Sequence, residues 1–205
     1  NTDSSGDIIS AGPDGTMIWT SPDSLSSITE LNDLSDGYTD AHNNLLLSAN
    51  QNYNLTSYSH SNTAVGNNTL QNISSGYGNT AFGFGALSNN GSGNTNTAVG
   101  LSALSSNSSG NYNTAVGEVA LQSNTDGEGN VAMGHKSMEF NNSGGFNVAV
   151  GSYALSKNIN AYSNVAVGER ALDNNSSGQE NVAIGRHTLT TNETGNQNTA
   201  IGHGA

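Results

Sequence analysis

The chain has no cysteine, two prolines, one tryptophan and only four Lys or Arg among 205 residues. Without cysteine there is no disulfide scaffold and no thiolate metal site, although the redox compartment stays open. The sixteen carboxylates outweigh the cations to a net charge of −12. That leaves too few positive groups to neutralise a phosphate backbone, so nucleic-acid binding is not expected. No apolar run approaches the ~18 residues of a membrane-spanning helix and no signal peptide is evident, so this segment is expected to insert in no membrane. The chain opens without Met and stops partway through a repeat, and it reads as a piece of a longer protein.

What the chain has instead is Gly, Asn and Ser, with hydrophobic residues at 33%, a balance that by itself points to disorder. A strict repeat argues against it. From Asn62 to the end, the pattern N-[TV]-A-[VIMF]-G-x-x-[AST]-[LM]-x-x-N-x-x-G-x-x recurs every 17 residues without insertion or deletion. Asn opens all nine copies, from Asn62 to Asn198, and Gly follows four places later, from Gly66 to Gly202. Invariant spacing is the mark of a stacked coil in which each copy is one turn and like residues form ladders.

In one copy, Asn113-Thr114-Ala115-Val116-Gly117 is β-prone and a second short β segment is expected around Ala120-Leu121. Gly117, Asn124 and Gly127 supply the turns, through positive φ, while their frequency opposes helix. The expected fold is all-β: a parallel β-solenoid or β-roll of 17-residue turns spanning 62–205, eight full copies and a partial ninth. Asn124 and its equivalents are expected either in an amide ladder or in a left-handed turn.

Alternation puts the second and fourth residues of each strand on one face and the third and fifth on the other. The third is always Ala; the fourth is Val65, Phe82, Val99, Val116, Met133, Val150, Val167, Ile184 and Ile201. The second changes from Thr to Val131, Val148, Val165 and Val182. Both faces therefore read as buried, yet each turn carries little apolar surface against the entropy of ordering it. Covering the second face calls for a partner, and a parallel homotrimer is expected, intertwined or side by side.

Asn96-Thr97-Ala98-Val99-Gly100-Leu101-Ser102-Ala103-Leu104 and Asn181-Val182-Ala183-Ile184-Gly185 resemble repeats of phage-type tail fibre proteins and their bacterial surface relatives. The same core is similar to the left-handed parallel β-roll of trimeric autotransporter adhesin heads, which generally use a shorter repeat. The resemblance covers 62–205 and implies a trimeric, extracellular fibre segment, of a virion tail or a cell surface, that presents or spaces binding surfaces. Relatives often end in a self-cleaving endosialidase-type chaperone, which nothing here matches. The expected function is non-enzymatic attachment to a host or other surface, foremost as a phage or phage-derived tail fibre. A bacterial trimeric autotransporter-like adhesin and a ligand-free spacer are the alternatives.

Residues 1–44 are read as a β-hairpin and connector. Gly6 to Ser10 and Thr16 to Thr20 flank Pro13-Asp14-Gly15, a turn signal, and 24–34 is expected to be a short helix after Ser21-Pro22-Asp23. Residues 45–61, beginning Leu45-Leu46-Leu47, are read as a degenerate turn capping the coil.

Candidate chemistry is sparse, and no cofactor is expected. Asp33, Asp36, Gly37 and Asp40 are a weak calcium motif without EF-hand spacing. His135 and His203 share the sixth repeat position but stand four turns apart, too far to hold one ion, and that position also holds Glu118, Ser152, Glu169 and Arg186, the variety of a solvent-facing turn. Glu169 and Arg186 are expected to pair one turn apart. No nucleophile or zinc-hydrolase motif occurs. Ice binding by a Thr row is a competing alternative, weakened where Thr gives way to Val after Thr114. The remaining candidates are Tyr77, Tyr112, Phe146 and Tyr162 at the sixteenth or seventeenth position, whose ring faces suit a surface glycan or else cover neighbouring turns or a seam between chains.

Overall fold

The computed structural model describes residues 8–11, 17–20, 37–39, 43–47 and 58–205. Strands β1 (Ile8–Ala11) and β2 (Met17–Thr20) pair antiparallel, Ile8 opposite Thr20. The expected turn between them, the 24–34 helix, and Asp33, Asp36 and Asp40 of the calcium motif lie outside the described residues; Gly37 opens β3 (Gly37–Thr39).

From β4 (Leu45–Leu47) onward the chain is a parallel β-solenoid of about nine turns with about 17 residues in each. Every copy contributes one three-residue strand: β5 (Thr63–Val65), β6 (Thr80–Phe82), β7 (Thr97–Val99), β8 (Thr114–Val116), β9 (Val131–Met133), β10 (Val148–Val150), β11 (Val165–Val167), β12 (Val182–Ile184) and β13 (Thr199–Ile201). Consecutive strands pair parallel with equivalent residues opposite one another, as Ala98, Ala115 and Ala132 are. At the other end β4 adds a turn below β5, and β3 pairs antiparallel along its free edge. Asn44 takes the place of the opening Asn there: its Oδ1 accepts from the Asn62 backbone and side chain, both at 2.9 Å.

The strand is short because the fifth residue stops it. Gly117 has φ +136°, closed to L side chains, and a Cβ there would stand 2.6 Å from the Gly134 carbonyl oxygen of the next turn. Beyond it no second strand forms. The expected β segment at Ala120-Leu121 is instead a turn, with Leu121 at φ 51° and its equivalents from Leu70 to Leu189 likewise left-handed. Leu seldom adopts this conformation. It is held here because each such N–H donates to the next turn, Leu104 to the Ala120 carbonyl at 3.0 Å, while the side chain fills the core.

That core is thin. Ala115 and its third-position equivalents from Ala64 to Ala183 are fully buried, as are Leu121 and its equivalents from Leu70 to Leu172, Met138 included. Two buried amide columns line the rest. In one, Asn113 accepts on Oδ1 from the Asn130 backbone (3.0 Å) and side chain (3.1 Å), and its Nδ2 donates to Asn96 Oδ1 and the Gly127 carbonyl. In the other, Asn124 Nδ2 donates to Asn107 Oδ1 at 2.8 Å and to the Gly127 carbonyl at 3.0 Å. The amide ladder, not the left-handed turn, is thus what Asn124 forms. Gly127 is required for room and not for positive φ: a Cβ would strike Asn124 Oδ1 and the Gly144 carbonyl oxygen. Copy six carries Ala161 at this place, and there the column stretches, Asn158 Nδ2 to the Ala161 carbonyl and Asn175 Nδ2 to Asn158 Oδ1 both reaching 3.4 Å.

The second and fourth strand residues point out of the coil. The expectation that both faces are buried is corrected within the single chain: Val116 is half-buried, and Phe82, Met133 and Ile201 are 55%, 44% and 69% exposed. The inward strand position is Ala from β5 to β13 and Leu46 on β4, where it stands in register with Ala64, and the larger side chains of the second and fourth positions lie on the outer face.

Candidate functional site

Two long edges flank the outward β face, and both are built by left-handed residues that turn their side chains away from the coil. At the seventeenth position Tyr112 and Phe146 have φ near 57°, with N–H groups tied to the preceding turn through the Asn94 and Glu128 carbonyls. Fixing the backbone in this way fixes where the ring stands. The structure brings Tyr77, Tyr112, Phe146 and Tyr162 to this one edge, all exposed on at least part of their surface.

Three of the rings lean on a neighbour. Phe146 covers Gly129, where a Cβ would meet Phe146 Cδ1 at 2.7 Å, and Tyr162 lies against Gly145 in the same way. The Tyr162 hydroxyl donates to the Ser143 carbonyl at 2.8 Å. Tyr77 stacks on His60, centroids 5.0 Å apart and planes 10° from parallel. Tyr112 is the most exposed of the four. Glycine opposite a ring lets it lie flat on the coil, leaving its outer face open to a flat apolar partner. Further along the same edge, Gln179, Glu180, Asn196 and Gln197 line an open polar depression of about 320 Å³.

The opposite edge, at the sixth and seventh positions, holds what the sequence reading did not assemble. Lys136, Tyr153, Arg170 and His187 occupy the seventh position of four consecutive turns, all with φ 57°. Arg170 lies 4.9 Å and Lys136 6.0 Å from the Tyr153 ring centroid. His135 meets the same ring edge-on at 5.3 Å, and His187 meets His203 at 6.4 Å. Listing the seventh residue of each copy finds this column; reading motifs along the chain does not.

Carboxylates stand among these cations. Lys136 pairs with Glu139 at 3.4 Å, Arg170 with Asp173 at 3.2 Å, and Arg186 with Glu169 at 2.9 Å, the pairing read from the sequence. The hydrogen bond and charge of Arg186 hold the Glu169 carboxyl below its ordinary range. Burial pushes Asp173 the other way, above that range, with Arg170 opposing only in part. Among the described residues no three His, Asp or Glu side chains converge as a metal-ligand set, and no helix is long and apolar enough to cross a membrane. His135 and His203 stand apart, each against its own aromatic neighbour.

Comparison with known proteins adds no relative from which a role for these residues can be carried over: no family model, no curated protein and no solved structure matches this chain.

Proposed function

We propose that this chain is a non-enzymatic fibre segment that self-associates as a parallel homotrimer and serves surface attachment, foremost in a phage-type tail fibre. The observation that carries the reading is the outward face of the solenoid sheet. Val, Ile, Met and Phe run along it at the fourth position from Val65 to Ile201, joined at the second by Val131, Val148, Val165 and Val182. A continuous apolar face on a parallel sheet is an association surface or an aggregation hazard. Parallel copies with these faces turned inward cover the stripe along its whole length and keep equivalent turns level.

The rest of the architecture suits a shaft. Nine in-register turns at ~4.8 Å give a rod of about 40 Å with lateral edges displayed at a fixed spacing. On the aromatic edge, Tyr112, Phe146 and Tyr162 offer ring faces for a sugar of a host or other cell surface. Sedimentation of the intact chain is expected to give three times 20.9 kDa, and Val150→Glu with Val167→Glu should dissociate it; a stable monomer would overturn the proposal. A glycan array tests the edge separately. Binding that survives replacement of Tyr77, Tyr112, Phe146 and Tyr162 by Ala, with the assembly intact, would remove those rings from the site.

A further inference from the structure

Each strand of the coil is flanked by two turns, the sixteenth and seventeenth residues before it and the sixth and seventh residues after it, which stand at opposite edges of the outward face. Strand by strand, the two edges are complementary. The edge before the strands carries Glu128 and Glu180, and its residues from Tyr77 to Gln197 include no Lys, Arg or His. Glu128 precedes β9, which His135 and Lys136 follow; Glu180 precedes β12, which Arg186 and His187 follow. Glu118 and Glu169, the carboxylates of the edge after the strands, stand level with Tyr112 and Tyr162 instead, so no carboxylate has a carboxylate opposite it. Nearer the low-numbered end the match is apolar: Tyr77 before β6 and Phe84 after it are 42% and 54% exposed.

We propose that these two edges meet between neighbouring chains of the parallel homotrimer, the edge after the strands of one protomer docking level against the edge before the strands of the next, with Lys136 on Glu128 and Arg186 on Glu180 as its ionic contacts. The inference rests on the trimer proposed above and adds what sets its register. Three-fold symmetry makes every contact heterologous and leaves no axial shift between chains, so residues that follow β9 face the residues that precede β9 of the neighbour. Six residue steps separate Glu180 from Arg186, at most about 20 Å of extended chain. Three faces of that width close a prism whose axis lies about 6 Å from each face, the reach of the outward apolar side chains, so the faces fill the centre only when their edges touch.

The charged groups have capacity for the contact. Arg186 gives its Nε hydrogen to Glu169 and keeps its other N–H groups. Lys136 Nζ lies 3.4 Å from Glu139, longer than the about 2.9 Å of a close charge-assisted bond. Glu180 Oε2 accepts from Gln197 at 2.9 Å, leaving Oε1. Glu128 and Glu180 are both exposed. The apolar stripe is alike on every turn and fixes no register, whereas the edges do. Sliding one chain by a turn in one direction sets Glu128 against Glu118 and Glu180 against Glu169; in the other it leaves Lys136 level with Asn111 and Arg186 level with Tyr162. Phe146 and Tyr162, which lie flat on Gly129 and Gly145 of their own chain, keep their outer faces beside the seam.

The chain has no cysteine, so engineered pairs report the contact directly. The full chain with Glu128→Cys and Lys136→Cys, treated with a bismaleimide too short to cross the outward face, is expected to run as a covalent trimer on a denaturing gel. Glu128→Cys with Arg186→Cys, three turns or roughly 14 Å out of level, and Glu128→Cys alone should run as monomers on the same gel. Glu128→Lys with Glu180→Lys, both in exposed turns, should weaken the trimer by about tenfold or more in sedimentation, because like charges then meet at both levels. A sedimenting trimer whose level pair does not cross-link, equal cross-linking of the three-turn pair or of the single variant, or a trimer undisturbed by the two lysines would overturn the seam and leave the trimer standing. A monomer in sedimentation would overturn both.

Discussion

The buried column headed by Asn113 and its equivalents bears the most exacting prediction. Asn113 Oδ1 is the acceptor for the backbone N–H of Asn130, and Asn113 Nδ2 reaches the Gly127 carbonyl at 2.8 Å. In Asn113→Ala the buried Asn130 N–H loses its acceptor, and one hydrogen of the Asn130 amide loses its own; the other stays on the Gly144 carbonyl. Gly127 is spared because Asn124 also donates to it. One orphaned backbone donor, one amide hydrogen and the lost side-chain volume together cost about 3–5 kcal/mol. Asn89, in an exposed amide contact of the same kind with Asn72, should cost less than about 0.5 kcal/mol when changed to Ala.

Asn113→Asp sharpens the test. It keeps the shape and the acceptor but sets a carboxylate against Asn96 Oδ1 and the Gly127 carbonyl oxygen. Its folded pKa must rise above the unfolded value of about 3.9. With the folded pKa raised, stability is present below the ordinary carboxylate range and lost as pH rises through it, so the variant should melt far below wild type at pH 7 and close much of that gap by pH 4. Circular-dichroism melts of the variants at both pH values decide it. An Asn113→Ala penalty no larger than that of Asn89→Ala, or an Asn113→Asp melt that ignores pH, would refute the claim that this column carries the fold.

Three other expectations can be checked by the same melts. Gly117→Val places a side chain at φ +136° against the Gly134 carbonyl and should abolish the cooperative transition, whereas Val116→Ile on the half-buried outward face should shift it by less than about 1.5 kcal/mol. Deleting Ala115 should reverse the facing of Val116 and break the stack, while one residue inserted after Ser108, in an exposed turn, should be absorbed as a loop. Because burial raises the Asp173 pKa, its ionisation opposes folding: Asp173→Asn should raise the melting temperature at pH 7, and the gain should vanish as pH falls through the ordinary carboxylate range.

The period alone disclosed the turn length and the recurrence of Ala115 and Asn124 at fixed places, because in-register stacking leaves the same constraint at the same place in every copy; it left open which strand face lines the coil and whether Asn124 forms an amide ladder or a left-handed turn. It did not disclose Leu121 as a left-handed residue. Local propensity assigns Ala-Leu to a strand, and only the hydrogen bond to the next turn makes the unusual conformation worthwhile. Similarly, Gly127 reads as a turn former until the flanking Asn side chains show that volume is what excludes a Cβ. Among the candidate contacts, the aromatic edge was legible because its rings fall at two adjacent places in the repeat, the sixteenth and seventeenth. The column of Lys136, Tyr153 and Arg170 mixes residue types, and its coherence emerges only when the turns are stacked.

The two amide columns also give the rod an electrical direction. In an ordinary sheet, backbone N–H groups point alternately to either side and their dipoles largely cancel. Within these two buried columns each Asn side chain donates toward the lower-numbered turn and accepts from the higher, as Asn107 to Asn90 and Asn124 to Asn107 do, so their moments add from turn to turn and polarise one another. The end near Asn44 is therefore the positive pole and the end near Asn198 the negative one, as in a helix, and two such rods meeting end to end favour head-to-tail contact over like poles.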